Sequence, residues 1–160
     1  MHEDNPRVVF DCNVFLQGLA SRKSPARRAS RLFFSGAVTL YVSADTMAEL
    51  RDVLNRPSIR KSFPKLTDRL VNALLEKVQR EAIFIWNVPE EFRFERDPKD
   101  ECYLNLAIVT NAKCIVSRDK DLLDLMTAMN PNAVTFRQRY PFLKVIKVDA
   151  FVQKYGKGAN

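Results

Sequence analysis

The sequence is short of the residues that carry much of enzyme chemistry. Its 160 residues include one histidine, four glycines and three cysteines. The histidine is His2, so a catalytic histidine base, a Ser-His-Asp triad and a histidine-rich zinc site are all disfavoured. The glycines, Gly18, Gly36, Gly156 and Gly158, are not spaced as GxGxxG or as a phosphate-cradling loop. Cys12, Cys102 and Cys114 are odd in number and form no CxxC pair, which argues against a disulfide framework and a thiolate metal site. Long apolar runs are missing too. The longest stretch without a charge, Leu32 to Ala44, is far short of the roughly 20 residues of a membrane span. The opening Met-His-Glu-Asp-Asn-Pro-Arg, with its acids and proline, does not read as a signal peptide, and a cytoplasmic protein with no membrane association is expected. What remains is the chemistry of carboxylates, hydroxyls and amines.

Positive charge is what the chain has in excess. Twenty-six Lys and Arg against nineteen Asp and Glu leave +7. Such a balance favours polyanionic partners, nucleic acid first among them. Two basic clusters are candidates for phosphate contacts. One holds Arg22, Lys23, Arg27, Arg28 and Arg31; the other holds Arg51, Arg56, Arg60, Lys61, Lys65 and Arg69, with Phe63 nearby for stacking. The tail from Arg137 to Lys157 is a third candidate. The plainer alternative for each is a solvated helix face. No residue pattern marks the reading of a base.

Short apolar runs alternate with helical patterns along the chain. Strands are expected at Arg7–Phe10, Val38–Val42, Ile83–Trp86, Cys114–Val116 and Val145–Val148. Helices are expected over Asn13–Leu19, from Pro25 to Gly36, after Ser43, from Thr67 through Leu70, Val71, Leu74, Leu75 and Val78, over Lys99–Asn111, over Leu122–Met129, and after Asp149 as a cap. The apolar stripes are expected to be core. Continuous apolar strands between helices predict a parallel sheet covered on both faces, in one α/β domain spanning 1–160. A chain of this length buries about 70% of its unfolded surface, enough for its own core.

Four acids fall where such a sheet places ligands, beyond the carboxyl ends of strands. Asp11 ends the first strand, Glu49 lies on the helix after the second, Asp100 opens a helix, and Asp119 follows the fourth strand. If strands one and four are neighbours, these acids converge. Crowded carboxylates repel one another and raise a pKa, and a hard divalent cation such as Mg²⁺ or Mn²⁺ relieves that conflict. Singly, each acid has a plainer role: Asp11 and Asp119 as helix caps, Asp100 as a partner of its helix dipole, Glu49 as a solvated residue.

These residues also carry a family resemblance. Val8-Val9-Phe10-Asp11-Cys12-Asn13 resembles the opening of the PIN domain. Ser43 to Leu50 with Val53, Leu54 and Pro57 is similar to its second motif, Arg96-Asp97-Pro98-Lys99-Asp100 to its third, and Ile115 to Leu122 to its fourth. The likeness runs from about residue 7 to 151 and lies nearest to stand-alone prokaryotic, VapC-like ribonucleases described as toxins of toxin–antitoxin pairs. The resemblance implies a three-layer α/β/α sandwich on a parallel, roughly five-stranded sheet. It implies Asp11, Glu49, Asp100 and Asp119 as the set that holds one or two Mg²⁺ or Mn²⁺ ions, with Asn13, Ser117 and Asp121 as supporting polar residues. Asp97 stands beside this set and is not ranked against Asp121. Cys12 replaces a frequent hydroxyl residue, and Ser117-Arg118 replaces the commoner Thr-Gly.

The activity implied is endonucleolytic cleavage of RNA by metal-activated water, with single-stranded DNA as another substrate. Arg27, Arg28, Arg31, Arg56, Arg60 and Lys61 would contact nucleic acid, and the partners would be an antitoxin protein and a second copy in a homodimer. Three alternatives stay open from sequence: a non-catalytic nucleic-acid-binding module, a nuclease of RNA maturation or DNA repair, and a phosphatase using Asp11 as nucleophile. The last lacks its general acid, because Asn13 stands where a second Asp is needed.

Overall fold

The computed structural model describes residues 5–157, so His2 and Gly158 lie outside the described residues. Five strands, β1 (Arg7–Phe10), β2 (Thr39–Ser43), β3 (Ile83–Ile85), β4 (Cys114–Val116) and β5 (Lys144–Ile146), form one sheet in the order β3-β2-β1-β4-β5. Every pairing is parallel. The chain moves outward from β1 to β3, then returns to the other side of β1 with β4. The reversal therefore falls between β1 and β4, where Phe10 is in register with Val116. In sheets of this kind that switch point opens a crevice beyond the strand ends.

Alternation along each strand makes the layers. Val8 and Phe10 point into one core with Leu40, Val42 and Val116, covered by α1 (Cys12–Ala20), α2 (Pro25–Phe34), α3 (Ala44–Asn55), α5 (Asp68–Glu81) and α9 (Val148–Tyr155). Val9 points the other way, with Ile115 and Val145, beneath α6 (Glu101–Val109), α7 (Lys120–Leu123) and α8 (Pro131–Arg139). A six-residue helix, α4 (Pro57–Ser62), follows α3. This is the α/β/α sandwich expected from the sequence.

Local chemistry explains most boundaries. Ser24 caps α2 ahead of Pro25, Ser43 forms a capping box with Thr46 at the start of α3, and Thr67 caps α5. Gly36 follows α2 at φ +82°, a conformation glycine adopts freely. Several expectations are corrected. Helices α4 and α8 carry no wide apolar stripe: α4 buries no residue and α8 buries only Ala133 and Phe136, so periodicity does not reveal them. The apolar segment before Asn111 opens with a 3-10 turn over Pro98–Asp100 rather than with the helix itself. Asp149 lies in the first turn of α9, while Lys147 occupies the cap position. Leu70 is exposed, whereas Val71, Leu75 and Val78 are buried.

The connection from β3 to the 3-10 turn is rich in charge yet firmly held. Phe92 and Phe94 are buried in the second core. Asn105, a buried amide on α6, accepts from the Glu91 and Phe92 N–H groups at 2.9 Å and donates to the Phe92 carbonyl at 3.2 Å. Glu101 accepts from Phe94 N–H, and Asn132 donates to the Arg93 carbonyl, both at 2.9 Å. Replacing Asn105 by Ala strips three hydrogen bonds from the loop backbone, two of them buried, each worth about 1 kcal/mol. A loss of about 2 kcal/mol or more should lower the thermal midpoint by about 4–8 °C. A calorimetric midpoint within about 1 °C of wild type would show that Asn105 does not hold this loop.

Candidate metal centre

The site forms where the strand order reverses. Asp11 continues the β1–β4 pairing, its N–H donating to the Val116 carbonyl at 3.0 Å. Its carboxylate lies buried above the strand end. Asp11 Oδ1 accepts from the Asn13 N–H at 3.3 Å, capping α1, while Oδ2 accepts from the Ser117 hydroxyl at 2.6 Å. The Ser117 oxygen in turn accepts from the Asp119 N–H at 2.9 Å. Asp119 caps α7 by accepting from the Asp121 N–H at 2.8 Å. One hydroxyl thus links the acid after β1 to the acid after β4. The two capping roles expected as alternatives are real, and they aim the carboxylates into the crevice.

Asp100 reaches the same place from the 3-10 turn that precedes α6, and Asp97 caps that turn by accepting from the Lys99 N–H at 3.1 Å. Carboxylate oxygens of Asp97, Asp100 and Asp119 all lie within 4.8 Å of one another. Asp100 Oδ2 is buried and, among the described residues, has no hydrogen-bond partner. Burial pushes the Asp100 carboxyl up to about 9, helped by a hydrogen bond to Asp119 and by the charges of Asp119, Asp97 and Asp11. The protein alone therefore keeps a proton on Asp100 at neutral pH. Glu49 is half-buried on α3, and burial and the Asp11 charge raise its pKa. The Tyr103 hydroxyl, from α6, accepts from the Cys12 N–H at 3.4 Å and moderates the rise in the Glu49 pKa.

The tightest set thus differs from the one read in the sequence. Asp100 and Asp119 belong to it, Asp97 joins it, and Asp11 and Glu49 stand beside it. Asp121 turns away to an ion pair, 2.6 Å from Arg96 Nε. Arg96 also binds Asp124 at 2.8 Å, fastening the loop that ends in Asp97 to the segment after β4. Asn13 meets Asp11 through its backbone N–H. Cys12 is buried, and its thiol is pushed well up by burial and by the Asp11 charge, so it stays protonated beside that carboxylate.

The sequence assigns no role to Tyr103, Asn105 or Arg96, the last of which enters only as the first residue of the third motif. A lone amide within the apolar run Leu104-Asn105-Leu106-Ala107 was the available signal for one of them. Among the six basic residues proposed for nucleic acid, the structure separates free cations from spent ones. Arg28, Arg31 and Lys61 are exposed. Arg27 binds the Gly18 carbonyl at 3.3 Å, and Arg56 pairs with Asp52 at 2.8 Å. Arg60 clamps the Leu54 and Leu66 carbonyls at 2.6 and 3.1 Å and pairs with Asp68 at 2.9 Å. Phe63 packs on the core rather than standing free to stack.

Hard oxygen donors, mutual repulsion and an unpartnered buried oxygen fit a divalent cation of the Mg²⁺ or Mn²⁺ type. The folded protein holds the Asp100 proton more tightly than the unfolded chain does, so stability present below about pH 4 is lost as pH rises towards about 9. The Asp100→Asn variant should lack this loss and, in EDTA at about pH 8, should melt about 2–4 °C higher, a gain of about 1 kcal/mol. A lower midpoint would contradict the repulsion. Mn²⁺ binding by the wild type should release protons and tighten as pH rises from about 6 to about 8, measurable by titration calorimetry in buffers of different ionisation enthalpy.

Comparison with known families agrees with this geometry. A family model described as PIN domain matches residues 7–121, from the first residue of β1 to the ion-paired Asp121. No curated protein matches the chain. The matched segment covers well over half of the sequence and contains every acid of the crevice, and the chain belongs to the PIN domain family, whose members are generally nucleases that use divalent metals.

Proposed function

We propose that the chain is a Mg²⁺- or Mn²⁺-dependent endoribonuclease that hydrolyses RNA phosphodiester bonds. The observation that carries this reading is the cluster of Asp97, Asp100 and Asp119 at the switch point, with Asp100 Oδ2 unpartnered. Asp97, Asp100 and Asp119, supported by Asp11 and Glu49, would hold one or two ions. Such ions, when bound, supply Lewis acidity that lowers the pKa of water and offsets charge developing on the phosphate.

The residues themselves do the positioning. Ser117 holds Asp11 Oδ2 and the Asp119 backbone in one geometry. Tyr103, buried and with its phenol raised chiefly by that burial, keeps its proton and holds the Cys12 backbone N–H next to Asp11. Arg96 removes the charges of Asp121 and Asp124 from the crevice, leaving the remaining acids to face the substrate. Burial of Asp11 and Asp100 limits solvent at the centre. No histidine is available within the described residues for proton transfer, which agrees with chemistry driven by carboxylates.

A toxin role, an antitoxin partner, a homodimer and cytoplasmic residence belong to the same proposal and rest on the sequence resemblance. Among the described residues, no helix is long and apolar enough to cross a membrane. The test is cleavage of structured and single-stranded RNA and DNA in Mg²⁺, Mn²⁺ and EDTA. Asp119→Asn and Asp11→Asn should each lower the cleavage rate by at least about a hundredfold, the scale of losing one group that stabilises transition-state charge. Cleavage that persists in EDTA, or at wild-type rate in Asp119→Asn, would overturn the assignment.

A further inference from the structure

The two flanks of the acidic crevice carry opposite charge. On the α3 side, a pocket of about 570 Å³ is lined by Asp45, Glu49, Asp52, Glu90 and Glu101, against only Arg56 and Lys99. On the other side, a groove of about 920 Å³ runs between α2 and α9 and presents Arg28, Arg31 and Lys157. It shares Pro25 and Asp149 with a second hollow of about 530 Å³ that presents Arg118 and Lys147. Arg118 immediately precedes Asp119, and Lys147 immediately follows the end of β5, so this hollow opens at the same end of the sheet as the carboxylates.

All five cations are exposed and none forms an ion pair among the described residues, which also holds for Lys99 and Lys120, whereas Arg56, Arg60 and Arg96 are each committed to a carboxylate. One carboxylate, Asp149, faces the five. A polyanion approaching from the α3 side meets a net negative wall. The same polyanion approaching between α2 and α9 meets free cations that continue to the residue next to Asp119.

We propose that the α2–α9 groove and the adjoining Arg118–Lys147 hollow form a one-sided track for the phosphodiester backbone of a single nucleic-acid strand. The track delivers the strand to the acidic crevice from one flank only. This inference rests on the nuclease reading for its endpoint, while the binding it describes is measured separately. Spaced phosphates suit five separated cations, and the apolar stems of Arg28 and Arg31 beside Pro25 and Leu32 leave room for bases without reading them.

Binding of a fluorescent 20-nucleotide oligouridylate is followed by anisotropy in EDTA, where no metal-dependent cleavage interferes. The double variant Arg28→Glu/Arg31→Glu should weaken binding at least about tenfold at moderate salt and reduce the slope of log affinity against log salt by about two. The pair Lys147→Glu/Lys157→Glu gives an independent measurement with the same expected loss. Arg93→Glu/Lys113→Glu changes net charge equally but lies outside the track, and should leave affinity within about twofold. Equal binding by wild type and both track variants would overturn the proposal. An equal loss in the Arg93/Lys113 control would also overturn it, because net charge alone would then explain the binding. An oligoglutamate peptide that bound as tightly as the oligonucleotide would overturn it in favour of an acidic protein partner. Binding that behaves as expected in a protein that cleaves nothing in Mg²⁺ or Mn²⁺ would retain the track and reject the nuclease reading.

Discussion

Carboxylates from three chain segments are held in one small crevice against their own repulsion, and much of the structure answers to that constraint. At 4 Å two unit charges repel by about 4 kcal/mol in the effective dielectric of a protein surface. The acids therefore need backbone anchors that do not yield. Asp11 is fixed by the β1–β4 register, Asp119 by its capping of α7, and Asp97 and Asp100 by a 3-10 turn at the head of a buried helix. The Ser117 hydroxyl ties two of these anchors together. Relief comes from a retained proton on Asp100, or from a cation in its place.

The same constraint explains the investment in the segment before Asp97. A charged loop with Phe92 and Phe94 at its centre would have no regular hydrogen-bond ladder of its own. Asn105, Glu101 and Asn132 supply its backbone partners, and Arg96 fastens its end to Asp121 and Asp124. The arginine serves twice: it positions Asp97 and withdraws two further negative charges from an already crowded site. Stability and function meet in this loop, since loosening it would displace two of the three clustered acids.

Charge is also arranged at longer range. An excess of +7 over the whole chain says nothing about where a polyanion would approach a negative centre. Several cations are consumed locally: Arg60 as a brace between α4 and α5, Arg27 on the Gly18 carbonyl, Arg137 on the Leu125 carbonyl. Of those left free near the crevice, Arg28, Arg31, Arg118, Lys147 and Lys157 line the α2–α9 flank and Lys99 lies on the other. The opposite flank, with Asp45, Asp52 and Glu90, repels phosphate. Long-range attraction is therefore directional, which total charge cannot express.

Much of this protein is legible in its sequence alone. Local periodicity and caps placed all five strands and marked Ser24, Ser43 and Thr67 as helix starts, because such signals depend on neighbours in the chain. The acids at the strand exits were legible for the same reason, and the motif spacing named the family. Helices α4 and α8 escaped, since helices that bury little of their surface leave almost no apolar period. The choice between Asp97 and Asp121 also escaped. Both lie within three residues of another candidate acid, and only Arg96, which reaches across from a different segment, separates them. Composition and local pattern determined the layers, the carboxylate chemistry and the excess of positive charge. Tertiary structure alone decided which acids share a pocket, which cations are free and which flank is open, because those depend on distances between residues far apart in sequence.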